Sequence, residues 1–231
     1  METHAPIRIV SSMATRRLLA ELIARFEATS PLRTSLESVG GVDAAKRVRA
    51  GEPFDVVVLA SNAIDDLIAE GHLVAGSRVD IVSSGVAIAV PAGTPHPDIG
   101  SVDALKRAVL AARSIGYSTG PSGVHLAKLF ATWDPTPALA DRIVIAPPGV
   151  PVASLVARGE VALGFQQLSE MLSVEGIDVV GMLPPGAQIV TTFSGGIARA
   201  AVHGDHGRAL LQFMAAPEVA DIKRQNGMDV P

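Results

Sequence analysis

The sequence IRIVSSMATRRLLAELIARF occupies residues 7–26 and joins two kinds of apolar pattern. Its first four residues, IRIV, form a short apolar run that predicts a β-strand. After Ser11 and Ser12, apolar side chains recur every three or four positions up to Phe26, as on one face of a helix. A strand that runs directly into an amphipathic helix is the first part of a β-α-β unit.

The same alternation continues along the chain. Apolar runs predict further strands at residues 34–39, 54–60, 81–91, 114–117, 143–146, 159–165 and 187–193. Helical patterns separate most of these runs. Strands that alternate with helices, and that read as continuous apolar runs, are typical of parallel sheets covered by helices on both faces. We therefore expect an α/β protein.

The 231 residues are enough for two small domains. Two sets of β/α units of similar content lie on either side of about Ser83, which predicts two lobes joined by two crossing strands. We expect lobe I to contain residues 1–83 and 190–231, because the closing helices should return to it. Lobe II should then contain residues 84–189.

Composition narrows the function classes. The net charge is −4 without blocks of like charge, so we expect no nucleic-acid partner, and there are no cysteines to form disulfides. The residues before the first strand lack the three parts of a secretory signal peptide, which are a charged region, an apolar stretch and a cleavage site. The chain is therefore expected to be cytoplasmic as given, or periplasmic if a signal peptide has been removed. We expect a monomer that needs no cofactor.

Four loops share one feature, since each follows a predicted strand and opens a helix. They lie at residues 11–13, 40–41, 118–123 and 147–151. Ligands of open parallel sheets bind outside the carboxyl ends of the strands, where helix N-termini offer free N–H groups and a positive dipole end. Ordinary helix capping would use the same small and hydroxyl residues. The four loops together predict a site for a small anion.

Several short motifs follow one another in a specific order. SSMA at 11–14 is followed by AGEPFDVV at 50–57, PSG at 121–123 and ARGE at 157–160, with PEVA at 217–220 near the end. In this order the chain resembles the molybdate-binding family of solute-binding proteins over nearly its whole length. The resemblance implies the two-lobed type II periplasmic-binding-protein (Venus-flytrap) fold, each lobe a mostly parallel sheet flanked by helices. It also implies a small anionic ligand in the interlobe cleft and ABC transporter membrane subunits as partners.

The ligand-binding loops differ from the family's pattern. Ser11, Ser12 and Met13 stand where the family has A-A-A-S-L, and Gly41 replaces part of a serine run. Gln167 replaces a tyrosine, and a carboxamide offers both a donor and an acceptor. These differences favour an organic di- or tricarboxylate over molybdate. The candidate ligand-binding residues are Ser11, Ser12, Gly41, Ser118, Thr119, Ser122, Gly149, Val150, Gln166 and Gln167.

Two classes of function fit this site. The first is a carrier that delivers a small anion to a transporter, and the sequence alone ranks it first. The alternative is an isomerase of a small unsaturated tricarboxylate, because aconitate isomerases resemble molybdate-binding proteins. Such an enzyme must move a proton between two carbons of its substrate. His125, with Tyr117 in reserve, is the candidate acid/base for that role.

Two further patterns have simpler explanations. Residues 116–120 match the G-x-S-x-G nucleophile elbow of hydrolases, but no oxyanion-hole motif precedes them. The later triad candidates are Asp134 or Asp178 and His203 or His206. His203 and His206 could begin a metal site. We expect instead a polar loop before a helix, and no metal.

Overall fold

The computed structural model describes residues 5–134, 137–147 and 149–231. The strands are β1 (Ile7–Ser12), β2 (Thr34–Val39), β3 (Val56–Ala60), β4 (Val79–Pro91), β5 (Ile115–Tyr117), β6 (Ile143–Ile145), β7 (Leu163–Gln167), β8 (Ile177–Met182) and β9 (Val190–Ile197). The helices are α1 (Arg16–Thr29), α2 (Gly41–Arg49), α3 (Ser61–Ala69), α4 (Val102–Ala111), α5 (Pro121–Trp133), α6 (Pro137–Ala140), α7 (Val152–Ala157), α8 (Leu168–Met171), α9 (Gly204–Ala215) and α10 (Ala220–Gln225). Short 3₁₀ turns lie at Met13–Thr15 and Pro217–Val219. Within the described ranges, no helix combines the length and the apolar character needed to cross a membrane.

The chain divides into two compact units. Unit 1 contains the described part of residues 1–83 together with Thr192–Pro231, and unit 2 contains Ser84–Thr191. The strands β4 and β9 contribute residues to both units. Hydrogen bonding links the strands of unit 1 in the order β2-β1-β3-β9 and those of unit 2 in the order β4-β7-β5-β6, and β8 pairs with β4.

Unit 1 is built on the parallel strands β2, β1 and β3, with β9 antiparallel to β3. Successive residues of a strand point to opposite faces, and here both faces are buried. Val56 and Val58 of β3 pack on one face with the apolar sides of α1 and α9. Val57 and Leu59 pack on the other face with α2 and α3. The continuous apolar run that predicted this strand is therefore explained by burial on both sides.

Unit 2 repeats this construction with β6, β5 and β7 in parallel and β4 antiparallel to β7. Two strand glycines let α7 approach the sheet closely. A β-carbon added at Gly164 would lie 2.4 Å from the Val156 side chain and 3.2 Å from that of Val152, and one at Gly116 would lie 3.1 Å from Val152. The N-terminal end of α7 is thereby held against the strands. The prediction of an α/β protein is confirmed, but its strand pairing is mixed, because β4, β8 and β9 pair in the antiparallel sense.

Some predicted boundaries are wrong. The strand predicted at residues 187–193 is β9, Val190–Ile197, and it continues through Gly195 and Gly196. A β-carbon at Gly195 would lie 2.2 Å from Leu211, so this glycine serves helix packing rather than a turn. The strand expected from residue 159 begins at Leu163, and β8 was not predicted. No residue of β8 is fully buried, so this strand lacks the two-sided burial that makes the central strands recognisable as continuous apolar runs.

Candidate functional site

In unit 1, the carboxyl ends of β1 and β2 meet the start of α2. Ser12 is the last residue of β1 and pairs with Val39 of β2, two residues before α2 begins at Gly41. A β-carbon at Gly41 would lie 3.7 Å from the β-carbon of Ser12, an ordinary contact distance. The structure therefore brings together two predicted ligand-binding positions, Ser12 and Gly41, at the N-terminus of a nine-residue helix.

The two serines that end β1 differ in their hydrogen bonding. The Ser11 hydroxyl lies 2.8 Å from the Ser38 hydroxyl on β2 and also contacts the Ser12 carbonyl oxygen. The Ser12 hydroxyl is buried and has no hydrogen-bond partner among the described residues. A buried hydroxyl without a partner costs about 1–3 kcal/mol, which a ligand's hydrogen bond would recover. Ser12 is thus a stronger ligand-binding candidate than Ser11.

In unit 2, the loop between β5 and α5 is fixed by one glycine. A β-carbon at Gly123 would lie 1.6 Å from the carbonyl oxygen of Ser118, so only glycine allows this close approach. The Ser118 hydroxyl accepts a hydrogen bond from the backbone N–H of Gly120 at 3.4 Å. Thr119 is exposed, whereas Ser122 is buried in the first turn of α5. This thirteen-residue helix begins at Pro121, which has no backbone N–H, so Ser122 and Gly123 carry its first N–H groups, the ones that an intrahelical bond cannot satisfy.

The two predicted acid/base residues have different surroundings. Tyr117 is 6% exposed and its ring centre lies 6.0 Å from that of Phe130, within the core of unit 2. Burial raises the pKa of Tyr117 above its ordinary value of 10, opposite to the shift that a base needs near neutral pH. The structure thus argues against Tyr117. His125 is exposed on α5, and its Nδ1 lies 3.0 Å from the Pro121 carbonyl oxygen.

The two glutamines at the end of β7 are engaged within unit 2. The Gln166 carboxamide oxygen accepts from the backbone N–H of Ala153 in α7 at 2.9 Å. With the Gln167 carboxamide oriented to satisfy both its ends, its nitrogen donates to the Ser84 hydroxyl at 2.9 Å. It also donates to the carbonyl oxygens of Ser84 and Gly85, and its oxygen accepts from Thr191. Both side chains therefore stabilise unit 2 by internal hydrogen bonds, whereas the sequence predicted that they bind the ligand.

The loop before α7 has limited donor capacity. Gly149 adopts a left-handed backbone conformation with φ of 77°, which favours glycine. The backbone N–H of Val150 donates to the Pro147 carbonyl oxygen at 3.0 Å, so it closes a turn instead of facing a ligand. Pro148, which belongs to the predicted loop, lies outside the described residues.

Glu170 is a titratable residue that the sequence analysis missed. It lies in the first turn of α8, three positions after the end of β7 at Gln167. Burial raises the pKa of Glu170 to about 7, and a hydrogen bond with the Gln166 side chain acts in the opposite direction. Its sequence signal was a lone acidic residue in the otherwise uncharged stretch FQQLSEML. A carboxyl group with this pKa can exchange protons near neutral pH.

The family described as bacterial extracellular solute-binding protein matches residues 7–229. The chain belongs to this family. An aconitate isomerase from Pseudomonas sp is 40% identical over 185 residues, which are 79% of this chain and 70% of that protein. The predicted resemblance to solute-binding proteins is confirmed.

Solved structures agree with the family on the fold. The periplasmic molybdate-binding protein of Azotobacter vinelandii superposes with a TM-score of 0.80 at 17% identity, covering 97% of this chain and 99% of that one. The substrate-binding domain of a molybdenum ABC transporter from Clostridium difficile gives a TM-score of 0.73 at 16% identity, covering 98% and 99%. The prediction of a periplasmic-binding-protein fold is confirmed.

The residues proposed for a hydrolase triad or a metal site do not form such a site among the described residues. Asp178 accepts from the Gly93 backbone N–H at 2.9 Å and lies 3.4 Å from His96 Nε2, so it is already engaged. The rings of His203 and His206 stack with centres 5.8 Å apart. In the part of the chain that the structure describes, no group of three or more His, Cys, Asp or Glu residues could hold a metal ion.

Proposed function

We propose that this chain is an isomerase of a small unsaturated tricarboxylate, and that it interconverts trans- and cis-aconitate by a 1,3-proton shift. The observation that carries this proposal is the 40% identity with an aconitate isomerase over 79% of the chain. The sequence alone favoured a carrier over an isomerase. The identity with this relative favours the isomerase instead.

The chemistry of the two units supports the proposal. The unpartnered Ser12 hydroxyl and the N-termini of α2 and α5 are neutral donors suited to carboxylate oxygens. Such donors also stabilise the negative charge that develops when a proton leaves the carbon next to a carboxylate. Arg16 is exposed at the start of α1, four residues after Ser12, and could pair with a further carboxylate.

A carrier for an organic anion is the second candidate. Membership of an extracellular solute-binding family favours it, as does the likeness to a periplasmic molybdate-binding protein. In this role the protein would work in the periplasm and deliver its ligand to the membrane subunits of an ABC transporter. A carrier needs only hydrogen-bond donors for its ligand and a fold that closes on it, whereas an isomerase also needs a group that exchanges a proton.

The test is incubation of the purified protein with trans-aconitate in deuterated buffer, followed by NMR. We expect cis-aconitate to form, with deuterium in the allylic position of that part of the product for which the base exchanged its proton with solvent before returning it. Tricarballylate, the saturated analogue, serves as the control because it should raise the melting temperature without reacting. Stabilisation by trans-aconitate without conversion would assign the carrier function. Stabilisation by molybdate alone would exclude both organic-anion proposals.

A further inference from the structure

Glu170 is the only ionisable residue of β7, α7 and α8, three elements of unit 2 that the structure describes in full. The sequences of β7 (LGFQQ), α7 (VASLVA) and α8 (LSEM) contain no other acidic or basic side chain. Burial withholds water from the ionised form of a carboxyl group in such surroundings, and this favours the neutral form. A helix N-terminus favours the ionised form, but α8 has only four residues and burial prevails.

A hydrogen-bonded chain fixes the position of this carboxyl. Glu170 is bonded to the Gln166 side chain, whose oxygen accepts from the Ala153 backbone N–H in the first turn of α7. Gln166 lies on β7 and Ala153 on the helix held close by Gly164. The carboxyl group therefore lies beside the carboxyl end of β7, the edge at which ligands of open α/β sheets bind.

The exposure of Glu170 suits a group that must meet a substrate. Protein atoms surround its carboxyl group closely enough to bring the pKa to about 7, yet the residue keeps partial access to the surface. A general base works best when its pKa lies near the working pH. Of the residues that the sequence offered for this role, Tyr117 is shifted in the unhelpful direction and His125 is on the open surface of α5.

We propose that the Glu170 carboxylate is the catalytic base that removes the substrate proton and returns it, a role that rests on the proposed isomerase function. Glu170 takes a proton from the methylene carbon next to the double bond. The C–H electron pair becomes the new C=C bond, and the original π pair moves to the far allylic carbon. That carbon takes the proton back from the Glu170 carboxyl, so the base is regenerated and no other reactant is consumed.

Glu170→Gln and Glu170→Asp together test this role. The glutamine keeps the shape of the glutamate side chain and an oxygen that can accept a hydrogen bond from Gln166. The aspartate keeps the carboxyl group on a shorter side chain. For a catalytic base, Glu170→Gln should lower kcat by about 10²–10⁴-fold and abolish deuterium exchange, and Glu170→Asp should retain more activity. If Glu170 is purely structural, Glu170→Gln should instead retain more activity than Glu170→Asp. Glu175→Gln, an exposed change in the following loop, is the matched control and should behave as wild type.

Binding and pH separate the remaining outcomes. Glu170→Gln should still be stabilised by trans-aconitate, and should lose the wild-type rise in kcat with a midpoint near pH 7. Gln166→Leu should move that midpoint to higher pH, because it removes the hydrogen bond that lowers the pKa of Glu170. An active wild type with an equally active Glu170→Gln overturns the base while the isomerase stands. A wild type that shows no conversion overturns the isomerase itself.

Discussion

The polar side chains at the strand ends of the two units are used in different ways. In unit 1, Ser11 is paired with Ser38, while the neighbouring Ser12 hydroxyl is buried and finds no partner in the described part of the chain. In unit 2, both glutamines at the end of β7 are engaged inside the unit, and the reactive capacity lies in Glu170. Unit 1 thus offers a neutral donor, and unit 2 offers a group that can change its charge.

This difference separates binding from chemistry. A neutral hydroxyl can hold a carboxylate at any physiological pH, because it does not titrate there. A carboxyl with a pKa near 7 changes its state within that range, and so can take up and release protons. Both features are unfavourable for the isolated fold, since one leaves a hydroxyl unpaired and the other buries a carboxylate. Such strain concentrates at functional sites.

The largest expected effect concerns the stability of Glu170→Gln. A carboxyl whose folded pKa is raised gives stability below its unfolded pKa, near 4.5, and that stability is lost as the pH rises to about 7. The full loss is on the order of 3 kcal/mol. Urea unfolding at pH 5 and pH 8 should therefore show the variant gaining stability relative to wild type as pH rises. Parallel behaviour of the two proteins would contradict a buried Glu170, and Glu175→Gln should follow wild type.

The Ser12→Ala change tests the donor in unit 1. Affinity for trans-aconitate should fall by about 10- to 100-fold, the effect of losing a hydrogen bond to a charged group. The melting temperature of the free protein should stay the same or rise, because an unpaired buried hydroxyl is removed. Ser11→Ala should lower the melting temperature and change the affinity little, since it breaks the hydrogen bond to Ser38. Equal effects of the two changes would remove the distinction between the serines.

A smaller effect is expected at Gln167. Gln167→Leu should lower the free energy of unfolding by about 1–2 kcal/mol, because partners at Ser84, Gly85 and Thr191 lose their hydrogen bonds. The affinity of the folded variant should remain near that of wild type, as measured by calorimetry. Gln225→Leu, an exposed change on α10, is the control for the added apolar side chain. Lost affinity with unchanged stability would restore Gln167 to the ligand site.

The sequence by itself determined the architecture and its relationships. The apolar runs of β1 and β3 and the helical spacing that follows Ser12 predicted an α/β protein with strand ends that open helices. The order of its short motifs indicated the solute-binding family. The signals for strands and helices are local, because they depend on the periodicity of neighbouring residues and on turn chemistry, whereas the family signal is the order of motifs along the chain.

Tertiary structure decided which side chains remain available for chemistry. Ser11 and Ser38 are 27 residues apart, and Gln166 and Ala153 are 13 apart, so their pairing depends on strand register and helix packing. The predicted strand stops at Phe193, short of Gly195, because the helix contact between Gly195 and Leu211 joins residues remote in sequence. Desolvation of Glu170 likewise depends on the atoms that surround it in three dimensions. Hydrogen-bond satisfaction and burial are properties of the packed molecule, and they selected Ser12 and Glu170 from many polar residues that look equivalent in the sequence.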